Sequence, residues 1–244
     1  MKIGCIIPST SKGRDWESIE ESYLYGTTLK SFVETCNNEH AYTFYIGIDK
    51  NDPIYDNDQN KEIIQSFCPD MDMKFEFVYM DGIQPGHLTL MWNRLFELAY
   101  RDNCDYFFQC GDDIDFKTKN WINDCIAALE KSDGVGLTGP INNNSKILTQ
   151  TFVSVKHMEL FGYYFPEEII NWFCDDWIND IYKDIERFYP MHNHICINMG
   201  GNPRYNINND IFTNQKEFEG SIRKMSKLHD AIVKRDLKRI KCKI

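Results

Sequence analysis

The sequence predicts an α/β fold built on a mostly parallel sheet flanked by helices, and three observations carry that prediction. Short apolar runs rich in aromatic and β-branched residues alternate with segments of helical periodicity through the first half of the chain. Each of these runs ends in a turn-forming or acidic group: Pro8, Asp49, Asp81-Gly82, and then the set Asp112, Asp113 and Asp115. At 244 residues, 42% of them hydrophobic and 26% charged, the chain is long enough to bury a proper core.

The elements follow in order. Residues 2–8, KIGCIIP, form a first buried strand, and Ser9 to Asp15 a polar loop. From Trp16 to Thr35 the residues Ile19, Tyr23, Leu29, Phe32 and Val33 recur at helical spacing, with Gly26 weakening the middle. Residues 42–48, YTFYIGI, form a second strand ending at Asp49, and Lys61 to Phe67 a short helix. Residues 74–80, KFEFVYM, alternate as a third strand. From His87 to Arg101 comes the clearest helix, whose apolar face is Leu88, Met91, Trp92, Leu95, Leu98 and Ala99; Asn93 and Arg94 lie off that face. The fourth strand is the run Tyr106-Phe107-Phe108, which breaks into the aspartates. Trp121, Ile122, Cys125, Ile126 and Leu129 mark a further helix. Strands are expected at 134–139 and 147–155, a helix over Trp177 to Ile185, and loops from there to Thr213. With no internal repeat and no low-complexity linker, residues 1–215 read as one domain and 216–244 as a basic helical C-terminal appendage.

The formal net charge of -10 argues against a broad nucleic-acid surface, because phosphate backbones are held by clustered Lys and Arg. From Lys216 onward, however, ten basic residues face only Glu217, Glu219, Asp230 and Asp236. This tail is expected as a solvated helix, with weak peripheral contact to an anionic membrane or partner surface, or folding back over the acidic body as a lid, as the other readings. The nine cysteines are scattered without a CxxC pair, and several fall in buried strands. They read as reduced core residues of a cytoplasmic protein. No stretch approaches the ~20 apolar residues that span a bilayer.

Three acidic points carry the chemistry: Asp49 after the second strand, Asp112/Asp113/Asp115 after the fourth, and Asp175/Asp176 before a late helix. On parallel strands the first two share the carboxyl edge of the sheet, where ligands of open α/β sheets bind. Clustered carboxylates repel one another, and an all-oxygen set favours a hard cation, Mg²⁺ or Mn²⁺. A solvated turn and a helix cap are the plainer readings of the second and third points.

In their order, Pro8, Asp49 and Gly111-Asp112-Asp113-Ile114-Asp115 resemble a GT-A (Rossmann-like) glycosyltransferase. The segment Phe161 to Glu167, FGYYFPE, followed by Asp175-Asp176-Trp177, resembles the family 2 type. This resemblance covers roughly residues 3–185. It implies that Asp49 accepts a hydrogen bond from a nucleobase, with Pro8 and Thr10 lining the base and ribose pocket. It implies Asp113 as principal metal ligand, with Asp115 or Asp112 reaching the ribose, the sugar or a metal-bound water. Asp176, or else Asp175, is then the general base for an acceptor hydroxyl, giving inversion. Among weaker candidates, His192 or His194 could reach the metal or diphosphate, Arg14 a phosphate and Asn93 the donor sugar; an exposed loop His, a surface Arg and a solvated helix face are the plainer readings. The expected activity is metal-dependent (DxD-type) transfer of one sugar from a nucleotide-sugar, a UDP-sugar first, to a glycan, protein or small-molecule acceptor. The processive Gln-x-x-Arg-Trp signature is absent. The rival readings are a sugar-1-phosphate nucleotidyltransferase and an inactive nucleotide-sugar-binding scaffold.

Overall fold

The structure, a computed structural model, describes residues 1–144, 146–200 and 215–243. Eight strands form one mixed sheet: β1 (Lys2–Ser9), β2 (Ala41–Ile48), β3 (Met73–Tyr79), β4 (Tyr106–Gln109), β5 (Ile114–Phe116), β6 (Leu137–Ile141), β7 (Thr151–Ser154) and β8 (Phe188–Asn198). Their order is β3-β2-β1-β4-β7-β6-β8-β5. The half made by β3, β2, β1 and β4 is parallel throughout, and β7 then runs against both β4 and β6. All four parallel strands therefore end on one edge, and Asp49 and the Asp112-Asp113 pair leave the sheet there.

The helices are α1 (Lys30–Thr35), α2 (Asp58–Gln65), α3 (Leu88–Arg101), α4 (Trp121–Glu130), α5 (Lys156–Phe161), α6 (Cys174–Asp184) and α7 (Gln215–Ile240). Strand parity divides the core into two layers. Ile3, Cys5 and Ile7 of β1 and Tyr106 and Phe108 of β4 pack toward α1, α2 and α4. Ile6 and Phe107 point the other way, toward α3, α5, α6 and α7. Phe107 makes edge-to-face contact with Phe96 of α3 at 4.6 Å between ring centres. His157 of α5 is buried in that second layer. It is bonded through Nδ1 to the Tyr182 hydroxyl at 2.8 Å and through Nε2 to the Tyr164 carbonyl at 3.0 Å. Burial holds its imidazole down at about 4, so it is a neutral core residue at physiological pH.

Three expectations are corrected. The single helix expected over 16–35 is broken into a 3₁₀ turn (Ile19–Glu21), a π-helical segment (Leu24–Leu29) and α1. Gly26 accommodates the break: a Cβ there would lie 2.8 Å from the Glu20 carbonyl oxygen. The stretch after Ile185, expected as loop, contains the long strand β8. Its pairing with β6 slips between Pro140 and Ile141, and the polar residues His192 and Asn193 occupy the irregularity, which hides the period-2 pattern. The part of the expected loop beyond residue 200 lies outside the described residues. The tail is not a solvated helix. α7 lies against α5 and α6 and buries Ile232 and Ile240.

Gly139 fixes how closely β6 approaches the loop that leads into β7. Its φ is +153°, and a Cβ would lie 2.6 Å from the Gln150 backbone carbonyl. Gly139→Ala is expected to lower stability by ~2–4 kcal/mol in urea unfolding, since neither backbone can yield cheaply.

Candidate active site

β1 ends in a buried Ser9-Thr10-Ser11 turn, and Asp52 holds that turn to the loop after β2. The Asp52 carboxylate accepts from Ser11 N and Ser11 Oγ (both 2.8 Å), Tyr55 N (2.9 Å) and Ile54 N (3.0 Å). With its lone pairs so occupied it is a structural clamp that lets a carboxylate sit buried without a cation. The Thr10 hydroxyl lies between two carboxylates, 2.9 Å from Asp49 Oδ2 and 3.2 Å from Asp52 Oδ2, and its one hydrogen favours the nearer. Asp49 is thereby aimed by Thr10. Arg14 follows the turn, with its guanidinium 5.4 Å over the Tyr23 ring.

β4 ends at Gln109, and Cys110-Gly111 lead to Asp112, which is buried, and Asp113, which is half-buried. The Asp113 carboxylate folds back over Gly111, where a Cβ would lie 2.7 Å from Asp113 Oδ1; any larger residue would displace it. The backbone carbonyl of Asp113 is fixed by Met199 N at 2.9 Å, just past the end of β8.

The third acidic point is set by an unusual backbone. Phe173 sits in the left-handed region at φ +73°, a costly conformation for a bulky side chain. It turns the chain into α6 so that Asp175 and Asp176 occupy the first turn, where helix N–H groups favour negative charge. Desolvation first, and the neighbouring Asp176 charge second, push the Asp175 carboxyl up to about 7.

These three points converge. Pro8, Thr10, Arg14, Asp49, Asp112, Asp113, Asp175 and Asp176 all line one cleft of about 650 Å³. The remaining expected residues lie elsewhere. Asp115 sits on β5 between the buried Ile114 and Phe116, so parity turns it outward, where it pairs with Lys117. His192 is exposed on β8 and is not part of the cleft wall; its neighbour His194 is buried and bonded to Asp124 at 2.7 Å. Asn93 is a clamp for the FGYYF turn: it donates to the Phe165 carbonyl at 2.7 Å and accepts from Tyr164 N and Phe165 N, both at 2.9 Å.

The cleft wall also contains residues that the sequence did not single out for it: Ser9, Trp92, Gln109, Gln150 and Phe173. Ser9 Oγ and Trp92 Nε1 are buried without a hydrogen-bond partner among the described residues. Two unsatisfied polar atoms in one wall are an unusual cost, which a polar ligand would relieve. Asp52, which holds the turn from outside the cleft lining, carried one sequence signal, the turn-forming Asn51-Asp52-Pro53. Trp92 reads as one more apolar position of its helix.

No three His, Cys, Asp or Glu side chains form a ready metal cluster among the described residues. No helix among the described residues is long and apolar enough to cross a membrane.

The sequence matches no protein-family model and no curated protein. Solved structures do match. S. aureus TarS 1–349 in complex with UDP-GlcNAc has a TM-score of 0.58 at 13% identity, over 98% of this chain and 71% of that one. The same fragment in complex with UDP has a TM-score of 0.54 at 13% identity, over 81% and 60%. S. aureus TarS itself has a TM-score of 0.53 at 13% identity, over 80% and 36%. This chain thus spans from about a third to seven-tenths of the length of the solved chains it matches. At this identity the likeness is one of fold. The chain has the GT-A fold, that of the glycosyltransferases its sequence resembles.

Proposed function

We propose that the chain is a metal-dependent, inverting glycosyltransferase that moves one sugar from a nucleotide-sugar, a UDP-sugar first, to an acceptor hydroxyl. The observation that carries this reading is the convergence of Asp49, Asp112-Asp113 and Asp175-Asp176 on one cleft from two strand ends and a helix start. The S. aureus TarS structures, solved with UDP and with UDP-GlcNAc, support the same donor class.

The cleft divides the work along its length. At the β1–β2 end, Asp49, held by Thr10, is an acceptor suited to a base N–H, with Pro8 beside it. Arg14 supplies positive charge for a diphosphate. At the β4 end, Asp112 and Asp113 form a two-carboxylate, all-oxygen donor set, which fits Mg²⁺ or Mn²⁺. Such ions keep several waters and take their remaining ligands from substrate phosphates. When bound, the ion would neutralise charge that builds on the departing diphosphate. At the α6 end, Asp176 lines the cleft and would accept the acceptor hydroxyl proton as the acceptor oxygen bonds to the anomeric carbon. The bond from that carbon to the diphosphate oxygen breaks on the opposite face, so configuration inverts.

With two carboxylates, Asp112 and Asp113, at this end of the cleft among the described residues, the cation and the nucleotide should bind together. Calorimetry should detect UDP binding in Mn²⁺ and little binding of Mn²⁺ alone; Asp113→Ala should abolish the Mn²⁺-dependent heat and lower transfer at least 10²-fold. In a thermal-shift panel of nucleotide-sugars, a donor at tenfold above its Kd adds ~1.4 kcal/mol of stability. Sugar transfer that survives Asp113→Ala would end the proposal.

A second test uses the acid pair. Because the Asp175 pKa is raised on folding, its stabilising contribution is complete below the ordinary carboxylate range and is lost as pH rises through about 7. Asp175→Asn should therefore raise stability at pH 8 by ~1–3 kcal/mol and change little at pH 4. Asp176→Asn should lower the transfer rate by roughly 10²–10⁴-fold. Asp175→Asn should cost less and remove an acid limb near pH 7. Equal activity of wild type and Asp176→Asn would contradict the assignment of the base.

A further inference from the structure

The two long faces of α7 are chemically opposite. Its inner face carries Ile232, Ile240, His229 and Asp236, all buried against the body of the protein. Asp236 accepts from Tyr163 Oη at 3.0 Å and from Trp177 Nε1 at 3.2 Å, which fastens α7 to the FGYYF turn and to α6. These contacts set which face of the helix looks outward.

That outer side is a stripe of lysines. Lys224, Lys227, Lys234, Lys238 and Lys241 are all exposed, and with Ala231 they follow a strict three–four spacing, which places them in one row along an α-helix. From Lys224 to Lys238 the row is roughly 20 Å long at the helical rise. Lys241 pairs with Asp184 at 2.7 Å, and Asp230 is exposed on one flank. Among the described residues no carboxylate forms an ion pair with Lys224, Lys227, Lys234 or Lys238. Leu228, 43% exposed, stands on the other shoulder. On a chain of net charge -10, a straight cationic row with a bare leucine beside it is a local reversal of sign.

We propose that the outer face of α7 docks the protein, reversibly and by electrostatics, on an anionic phospholipid surface. The row is straight and convex, and it consists of ammonium point charges on flexible stems, which suit smeared lipid charge. Arg223, four residues before Lys227, is the single Arg of this face among the described residues, and no aromatic ring stands beside it for base stacking, so the row is poorly made for nucleic acid. Ile222, near the start of the same helix, lines the cleft, so the docked surface and the cleft share one element. The inference does not depend on the chemistry assigned to the cleft.

Each lysine near an anionic surface multiplies partitioning roughly fivefold, so four unpaired ones give on the order of 10³-fold preference for anionic over neutral vesicles. The test is co-sedimentation of the full chain with phosphatidylcholine vesicles and with vesicles containing about a third phosphatidylglycerol. Expected are binding to the anionic vesicles only, release at about 0.5 M salt, and loss of binding on combining Lys227→Glu, Lys234→Glu and Lys238→Glu. These side chains are exposed, and an unchanged melting temperature would show the fold intact. Should the reversed-charge variant unfold, the corresponding Gln variant is read instead, with binding weakened about 10²-fold. No preference for anionic vesicles, or a preference that survives the substitutions, overturns the proposal. Tighter binding to single-stranded RNA than to the vesicles does so as well.

Discussion

Mutual repulsion among carboxylates is the constraint on which the rest of this structure depends. Asp49, Asp112, Asp113, Asp175 and Asp176 share the walls of one cleft, and none can be placed there without something to offset its charge. The offsets differ by position. Asp49 takes the Thr10 hydroxyl, while Asp52 beneath it is saturated by backbone and serine donors and holds two loops together. Asp175 holds its proton up to about pH 7, and its partner Asp176 shares the favourable field of a helix start. In the proposed function, Asp112 and Asp113 would face a divalent cation arriving with a diphosphate.

Fold features serve this placement. A parallel half-sheet brings the ends of β1, β2 and β4 to one edge, and the antiparallel β7 returns Gln150 to the same cleft. Gly111 and Gly139 stand where a side chain would strike Asp113 or the Gln150 backbone, so two tight approaches are bound to residue identity. Phe173 in a left-handed conformation is strain stored beside the acid pair, kept in place by α6 and by the His229 ring of α7, 5.6 Å away. The C-terminal helix is thus part of the body that shapes the cleft, with Asp236 as its buried anchor.

β1, β2 and β4 were legible because their buried runs are continuous and end abruptly in aspartates or turns, and β3 because it alternates. α3 was legible because six apolar positions trace one face over 14 residues. β8 was not, since a bulge and the polar His192-Asn193 interrupt its alternation. The broken helix before β2 depends on Gly26 meeting the Glu20 carbonyl, a tertiary contact without local signature. Within the cleft, acids at strand ends could be placed from order alone. Asp115 could not, because its outward turn follows from Ile114 and Phe116 entering the core. Asn93 was misleading for a similar reason: a polar residue off the apolar face was bonded to a distant turn. Asp52, Ser9 and Trp92 depend on which loops meet, which spacing does not encode.

The central claim is that one cleft holds a nucleotide diphosphate between Asp49 and the Asp112-Asp113 pair. A crystal structure of the chain grown with UDP and Mn²⁺, with anomalous data collected for manganese, tests it most directly. The account predicts the base against Asp49 and Thr10, and an anomalous peak shared by the diphosphate and Asp113. Nucleotide bound away from Asp49, or manganese bound away from the Asp112-Asp113 carboxylates, would contradict it.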